Sequence, residues 1–224
     1  MDAGIGDFER SAPALQRLCS IYWFPVYAFI RRRGSDVHEA EDLTQSFFAH
    51  VLEADMLQRA NQDKGRFRSF LLGALTNFLN NESDKQRTLK RGGRSQVLSW
   101  DEAKAEGLLR EEPAVELTPE RSFDRRWALA LVEHVLATLR REYLSPGNIR
   151  LQARLEPFLT QEIPPGSYTR LSSELGMNPS ALKVALHRLR RRFGELLRRE
   201  VSQTVVDAAS LDEELRYLLS VISC

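Results

Sequence analysis

Residues 167–193 read SYTRLSSELGMNPSALKVALHRLRRRF. The short segment 168–175 has helical spacing and ends at Gly176, which is typical of a helix stop. Asn178 or its neighbour then caps a second helix that begins at Pro179. Ser172 is small and lies four residues before Gly176, where two helices joined by so short a turn must approach closely. This pattern predicts a helix-turn-helix.

The two faces of the second predicted helix differ in chemistry. The shared core is predicted to contain Leu171, Leu175, Leu182, Leu186, Leu189 and Phe193. The other face carries Pro179, Ser180, Lys183, Val184, His187, Arg188 and Arg191. Polar and basic side chains at this spacing can reach base edges and phosphates in a major groove. A helical hairpin with a basic solvent face is the alternative. His187 has no metal-ligand partner at a suitable spacing, so it is either a surface residue or a DNA contact.

Charge is unevenly distributed along the chain, although the formal net charge is only +1. Residues 85–94 contain five bases and no acid, and residues 101–120 contain seven acids and two bases. Residues 180–200 contain seven bases and two acids. Two basic segments with an acidic spacer predict two contacts with a polyanion. Solvated basic helix faces are the alternative interpretation.

The composition is that of a globular protein, with 42% hydrophobic and 28% charged residues. It excludes collagen-like, fully disordered and disulfide-scaffold chains. Apolar residues recur at three- and four-residue steps, which predicts an all-α fold. Pro25 predicts two short helices or one kinked helix in the first apolar segment. Cys19 and Cys224 can form neither a zinc cage nor a disulfide framework. We therefore expect a cytoplasmic protein with no metal, cofactor or membrane span.

The helical segments fall into two groups. Residues 11–94 form a first predicted domain, and residues 95–119 form an acidic, proline-containing linker. Residues 120–200 form a second predicted domain, which starts at the helix-start pattern Thr118-Pro119-Glu120. Residues 201–224 form a C-terminal extension with an amphipathic helix expected at 211–222.

The first predicted domain carries two polar surfaces. A helix through EAEDLTQSFF, residues 39–48, places Glu41, Asp42 and Gln45 on one face, and an ordinary amphipathic helix is the alternative. Further along, Asn77 and Asn81 lie one helical turn apart. Amide side chains can bind the hydrogen-bonding edges of unpaired bases, while nearby Lys and Arg hold phosphates and Phe67 offers a stacking surface. Surface filling is the alternative for the asparagines.

In the order of these parts, residues 11–200 resemble the extracytoplasmic-function sigma factors of bacterial RNA polymerase. The parts are EDLTQSFFAHVLE, then FRSFLLGALTNFLNN with a basic continuation, then an acidic linker, then a helix-turn-helix that ends in LHRLRRRF. Each part by itself is weak evidence for this family, whereas the four parts in this order are specific for it. The resemblance implies two helical domains that correspond to sigma regions 2 and 4.

The resemblance also implies roles for particular residues. The helix that carries Glu41, Asp42, Gln45 and Phe48 would dock on the clamp helices of core RNA polymerase. Single-stranded promoter DNA at the −10 element would contact Arg66, Phe67, Asn77, Asn80, Asn81, Lys85, Arg87, Lys90 and Arg91, and residues 58–66 match a loop that captures a flipped base. The second domain would bind the polymerase flap and duplex DNA at the −35 element through Pro179, Ser180, Lys183, Val184, His187, Arg188 and Arg191.

The chain departs from the family pattern in three places. Asn81 stands where many members have Asp, the linker is longer and more acidic than in the smallest members, and an extension follows the second domain. The extension is either an ordinary packing helix or a regulatory segment. Control by an anti-sigma factor or by a Ser/Thr kinase is also implied. Thr44 is therefore a candidate phosphorylation site, with an ordinary helix threonine as the alternative.

Three functional classes follow from the sequence. The first is a promoter-specificity subunit that is not an enzyme. The second is a stand-alone helix-turn-helix regulator in which residues 1–94 sense a ligand or dimerise. The third is an enzyme acting on nucleic acid. Glu41 and Asp42 could suggest a metal site in such an enzyme, but the sequence has no second acidic cluster to complete it. The sequence also has no HExxH, no glycine-rich phosphate loop and no Ser/His/Asp grouping.

Overall fold

The computed structural model describes residues 3–53, 65–88, 107, 117–144, 146–164 and 166–223. The helices in these ranges are α1 (Ala3–Arg32), α2 (Val37–Glu53), α3 (Phe67–Thr88), α4 (Pro119–Glu142), α5 (Pro146–Leu155), α6 (Ser167–Leu175), α7 (Pro179–Ser202) and α8 (Ala208–Ser223), with a 3-10 turn at Glu156–Phe158. No strand occurs within the described ranges, so the predicted all-α class is confirmed there. None of the helices described is both long and apolar enough to cross a membrane.

The chain divides into two compact units, and the division falls inside α4. The first unit contains Met1–Ala130 and Thr204–Cys224, and the second contains Leu131–Gln203. The start of α4 and the C-terminal helix α8 therefore belong to the first unit. These boundaries differ from those predicted, which place a second domain at 120–200 and an extension at 201–224. Most of the predicted linker lies outside the described residues.

Helix α1 is continuous through Pro25. The alternative of two short helices is therefore wrong. Proline removes one backbone hydrogen bond and crowds the preceding turn. Against that cost, every residue from 21 to 30 is buried, so this part of the helix packs on all sides. Tertiary packing of this extent stabilises a helix more than local propensity does.

The α1–α2 connection consists of a helix stop and a helix cap. Gly34 has a φ of +102°, a left-handed conformation that suits glycine. The Asp36 carboxylate then accepts a hydrogen bond of 2.8 Å from the Glu39 backbone N–H and so caps α2. Phe47 of α2 packs on Phe78 of α3, with ring centroids 5.6 Å apart. This contact places α3 against α2 in the first unit.

A buried cation joins α3, α4 and α8. The Arg68 guanidinium donates hydrogen bonds to Asp124 and, at 2.9 and 3.2 Å, to both carboxylate oxygens of Glu214. It also lies over the rings of Trp127 and Tyr217, at 5.1 and 4.4 Å from their centroids. The Tyr217 hydroxyl donates to Asp124, and burial together with that carboxylate raises the pKa of Tyr217 to about 12. These contacts hold α8 in the first unit.

The second unit has its own leucine core. Buried residues on its helices include Leu139, Leu155, Leu182, Leu186 and Leu189. Arg140 at the end of α4 pairs with Glu156. The hydrogen bond from Arg140 lowers the pKa of the Glu156 carboxyl group. This ion pair holds the 3-10 turn against α4.

Arg68→Met tests how far the first unit depends on the buried cation. The substitution keeps much of the side-chain volume, but it leaves Asp124 buried without its counter-charge and leaves the buried Glu214 with Arg66 as its remaining cation. We expect the free energy of unfolding in urea to fall by about 3–5 kcal/mol. Lys85→Met is the control, because this cation on the same helix is 66% exposed and its surface pair with Glu82 contributes at most about 1 kcal/mol. Equal decreases in the two variants would contradict the assignment.

Candidate nucleic-acid interfaces

The turn between α6 and α7 has the predicted helix stop and helix cap. Gly176 ends α6 in the left-handed conformation, with φ 64° and ψ 30°. The Met177 N–H then donates to the Ser172 carbonyl at 2.9 Å and so gives this carbonyl of the last helical turn a hydrogen-bond partner. The Asn178 side chain accepts a hydrogen bond of 2.7 Å from the Ala181 N–H, and Pro179 is the first residue of α7. The predicted cap and stop are thus confirmed.

Helix α7 presents one continuous exposed stripe. Leu182, Leu186 and Leu189 are almost fully buried, whereas Leu175 and Phe193 are half-buried. All seven residues predicted for duplex binding are exposed: Pro179, Ser180, Lys183, Val184, His187, Arg188 and Arg191. From residue 180 to residue 191 the stripe measures about 17 Å along the helix axis. An α-helix with its side chains is about 10–12 Å in diameter, so it fits a B-DNA major groove, which is about 12 Å wide.

The arginines of α7 divide into structural and available groups. Arg190 donates hydrogen bonds to the backbone carbonyls of Phe158 and Gln161, at 3.0 and 2.6 Å. Arg192 forms a bidentate pair with Glu142, at 2.7 and 2.6 Å, and thereby lowers the pKa of that carboxyl group. Both side chains therefore hold the second unit together rather than extend toward a ligand.

The available cations lie on the exposed stripe. The Lys183 ammonium lies 5.4 Å from the centroid of the Tyr168 ring, and neither Lys183 nor Arg188 forms an ion pair with a described residue. Arg191 pairs with Glu195 one turn along the helix, at 3.0 Å, and its side chain is 76% exposed. Lys183 and Arg188 are thus the cations of this helix best placed to bind a phosphate or a guanine edge.

Helix α3 presents a row of amides in the first unit. Asn77, Asn80, Asn81 and Lys85 are all exposed, and the Lys85 ammonium lies 2.7 Å from the Glu82 carboxylate. The opposite face is anchored by the buried Leu71, Leu75 and Phe78. Arg87 is part of the helix but its side chain is not described. Lys90, Arg91 and residues 58–64 of the predicted base-capturing loop lie outside the described residues.

Two predicted DNA contacts at the start of α3 already have partners in the protein. The Arg66 guanidinium pairs with Glu213 at 2.8 Å and with Glu214 at 3.1 Å. The Phe67 ring packs edge-on against Tyr22, with centroids 5.5 Å apart. The carboxylates of α8 could not be predicted as partners of Arg66, because no local pattern connects them with residue 66. The only signal is a run of acids, Asp212-Glu213-Glu214, on an amphipathic helix.

The residues predicted to contact polymerase separate into surface and core. Asp42 is exposed, and Glu41 and Gln45 are half-buried. Phe48 is 2% exposed and packs against Phe47, so its assignment to the docking surface is corrected to the core.

Thr44 is also buried. Its side chain is inaccessible, and its hydroxyl donates to the Ala40 carbonyl at 2.6 Å. A kinase could reach this hydroxyl only if α2 left its packing. The structure therefore favours the ordinary helix threonine over the phosphorylation site.

Comparison of the chain with protein-family models finds no match, and comparisons with curated proteins and with solved structures find none either. Within the described ranges, no group of three or more His, Cys, Asp or Glu side chains could hold a metal ion. The interpretation of the two surfaces therefore depends on their own chemistry.

Substitution of the available cations tests the α7 surface. Lys183→Ala with Arg188→Ala should weaken binding to duplex DNA. The slope of log affinity against log salt should become shallower by about 0.9 for each phosphate that the variant no longer neutralises. Removal of a base contact should instead relax specificity at one base pair by about 1–3 kcal/mol. Arg199→Ala is the control, because it removes an exposed charge near the end of the same helix. A double variant indistinguishable from this control would remove α7 from DNA binding.

Proposed function

We propose that this chain is a promoter-specificity subunit of bacterial RNA polymerase, of the extracytoplasmic-function sigma type. It would act in the cytoplasm and would not be an enzyme. The observation that carries the proposal is that one chain presents two chemically different exposed surfaces in two compact units. One is the basic stripe of a helix-turn-helix, and the other is a row of amides on α3.

The α7 surface suits duplex DNA. Its cations supply the phosphate and guanine contacts, and the exposed Val184 offers an apolar contact to a thymine methyl group. Arg190 and Arg192 hold the helix to the rest of the second unit, so the stripe is presented on a rigid support. In the proposed function this surface binds the −35 element.

The α3 surface suits an unpaired strand. Each asparagine amide has both a donor and an acceptor and can pair with the edges that a base exposes when the duplex opens. The buried leucines and Phe78 on the other face fix the helix, so the positions from which the amides extend are set before the strand arrives. In the proposed function these contacts form with the −10 element and favour its melting.

The exposed part of α2 suits a protein partner. Asp42 and Gln45 extend from a helix whose other face is held in the core by Phe47 and Phe48. In the proposed function they dock on the clamp helices of core polymerase. The stand-alone regulator differs at this point, because it needs no stoichiometric complex with core polymerase. An anti-sigma factor would compete for the same surface.

The docking assignment predicts the behaviour of Asp42→Ala with Gln45→Ala. Holoenzyme formation should be abolished while helical content stays unchanged, because surface substitutions alter stability by no more than about 0.5 kcal/mol. The measurement is co-purification with core polymerase, with circular dichroism on the free protein. Asp84→Ala, which removes an exposed acid from α3, should bind core polymerase as the wild type does. Assembly of the double variant at wild-type affinity would show that α2 does not dock.

The melting assignment predicts a different defect for Asn77→Ala with Asn81→Ala. Core binding and closed-complex formation should stay nearly intact, while permanganate reactivity of −10 thymines falls on a promoter selected by the wild-type holoenzyme. A template with a pre-melted −10 bubble should restore part of the reactivity, because the cost of opening is removed while the base contacts stay missing. Ser83→Ala is the exposed control on the same helix. Wild-type reactivity in the double variant would show that the asparagines are ordinary surface residues with no role in melting.

A further inference from the structure

We propose that helix α8 restrains the strand-binding surface of the first unit, because the Glu213 carboxylate occupies the Arg66 guanidinium that a DNA phosphate would take. The proposal rests on the proposed function, since it needs the start of α3 to bind a single strand. It assigns a regulatory role to the C-terminal helix.

The contacts are made at the beginning of α3. Arg66 lies 2.8 Å from Glu213 and 3.1 Å from Glu214. The Phe67 N–H, one of the unpaired donors that begin every helix, donates to the Thr204 carbonyl at 3.0 Å. One carbonyl and two carboxylates of the C-terminal segment thus meet the guanidinium and amide donors that bind phosphates in many proteins.

The two acids differ in how firmly they are held. Glu214 is 1% exposed and shares the buried Arg68 with Asp124, which is 9% exposed. Glu213 is 58% exposed, and its partner Arg66 is 32% exposed. A surface ion pair of this kind is weak and exchangeable, whereas a buried one is costly to break. Glu214 therefore anchors α8, and Glu213 is the group that a phosphate can displace while α8 stays in place.

The position of Arg66 connects this exchange with the amide row. Arg66 immediately precedes α3, and Asn77 follows it by eleven residues, or about 17 Å along the helix axis. A strand whose bases meet the asparagines can therefore extend toward Arg66. When a phosphate of the strand displaces Glu213, the phosphate forms a charge-assisted contact with the Arg66 guanidinium. This contact exists only while the strand is bound. The restraint therefore lowers the affinity for a single strand and leaves the surface intact.

The experiment compares the affinities of four full-length proteins for a fluorescein-labelled, mixed-sequence single strand of about 15 nucleotides. The proteins are the wild type, Glu213→Gln, Asp212→Asn, and Glu213→Gln combined with Arg66→Gln, each checked by circular dichroism. Asp212→Asn removes one exposed carboxylate from the adjacent position and controls for net charge. Fluorescence anisotropy at low and moderate salt gives the dissociation constants.

We expect Glu213→Gln to bind about two- to fivefold more tightly than Asp212→Asn. The gain should vanish when Arg66 is also replaced. Equal affinities of Glu213→Gln and Asp212→Asn would overturn the restraint, as would a gain that persists without Arg66. Both of these results leave the proposed function standing, because the wild type still binds the strand. Failure of the proposed function has another signature, in which none of the four proteins binds the strand, and this result would overturn both proposals.

Discussion

The buried guanidinium of Arg68 is the constraint on which the first unit depends. It lies on α3, and its partners Asp124 and Glu214 come from α4 and α8, so one side chain joins three distant parts of the chain. Apolar residues often replace such a group at little cost, whereas removal of one partner leaves a charge buried without compensation. The interaction therefore specifies geometry: it fixes which face of α3 turns inward, and the asparagines nine and thirteen residues later face outward as a consequence.

Local signals in the sequence predicted the helix boundaries well. Asp36, Thr118 and Asn178 each accept a hydrogen bond from a backbone N–H three residues later, and the helices after Thr118 and Asn178 begin where expected. Caps and stops are decided by a few neighbouring residues, so the sequence contains all the information needed. The same holds for the exposed stripe of α7, because burial of one leucine face determines what the other face presents.

Long-range packing could not be predicted in the same way. Arg68 and Glu214 are 146 residues apart, and no periodicity connects them. Only the resemblance assigns Phe48 to the docking surface, whereas the buried face of α2 is wide enough to include both Phe47 and Phe48. At Pro25 the alternative of two short helices fails, since burial on every side of α1 overrides a local helix breaker. Each of these outcomes depends on neighbours that lie elsewhere in the chain.

Charge density alone would misjudge the α7 surface. The segment from 180 to 200 contains seven bases. Two of them already have partners within the protein, because Arg190 donates to backbone carbonyls and Arg192 pairs with Glu142. The first unit shows the same principle at Arg66, whose charge is met by α8. Recognition therefore depends on which cations the fold leaves without an ion-pair partner, and on α7 Lys183 and Arg188 have none among the described residues. A basic run therefore predicts an interface only when it still contains several cations besides the arginines that are paired within the protein.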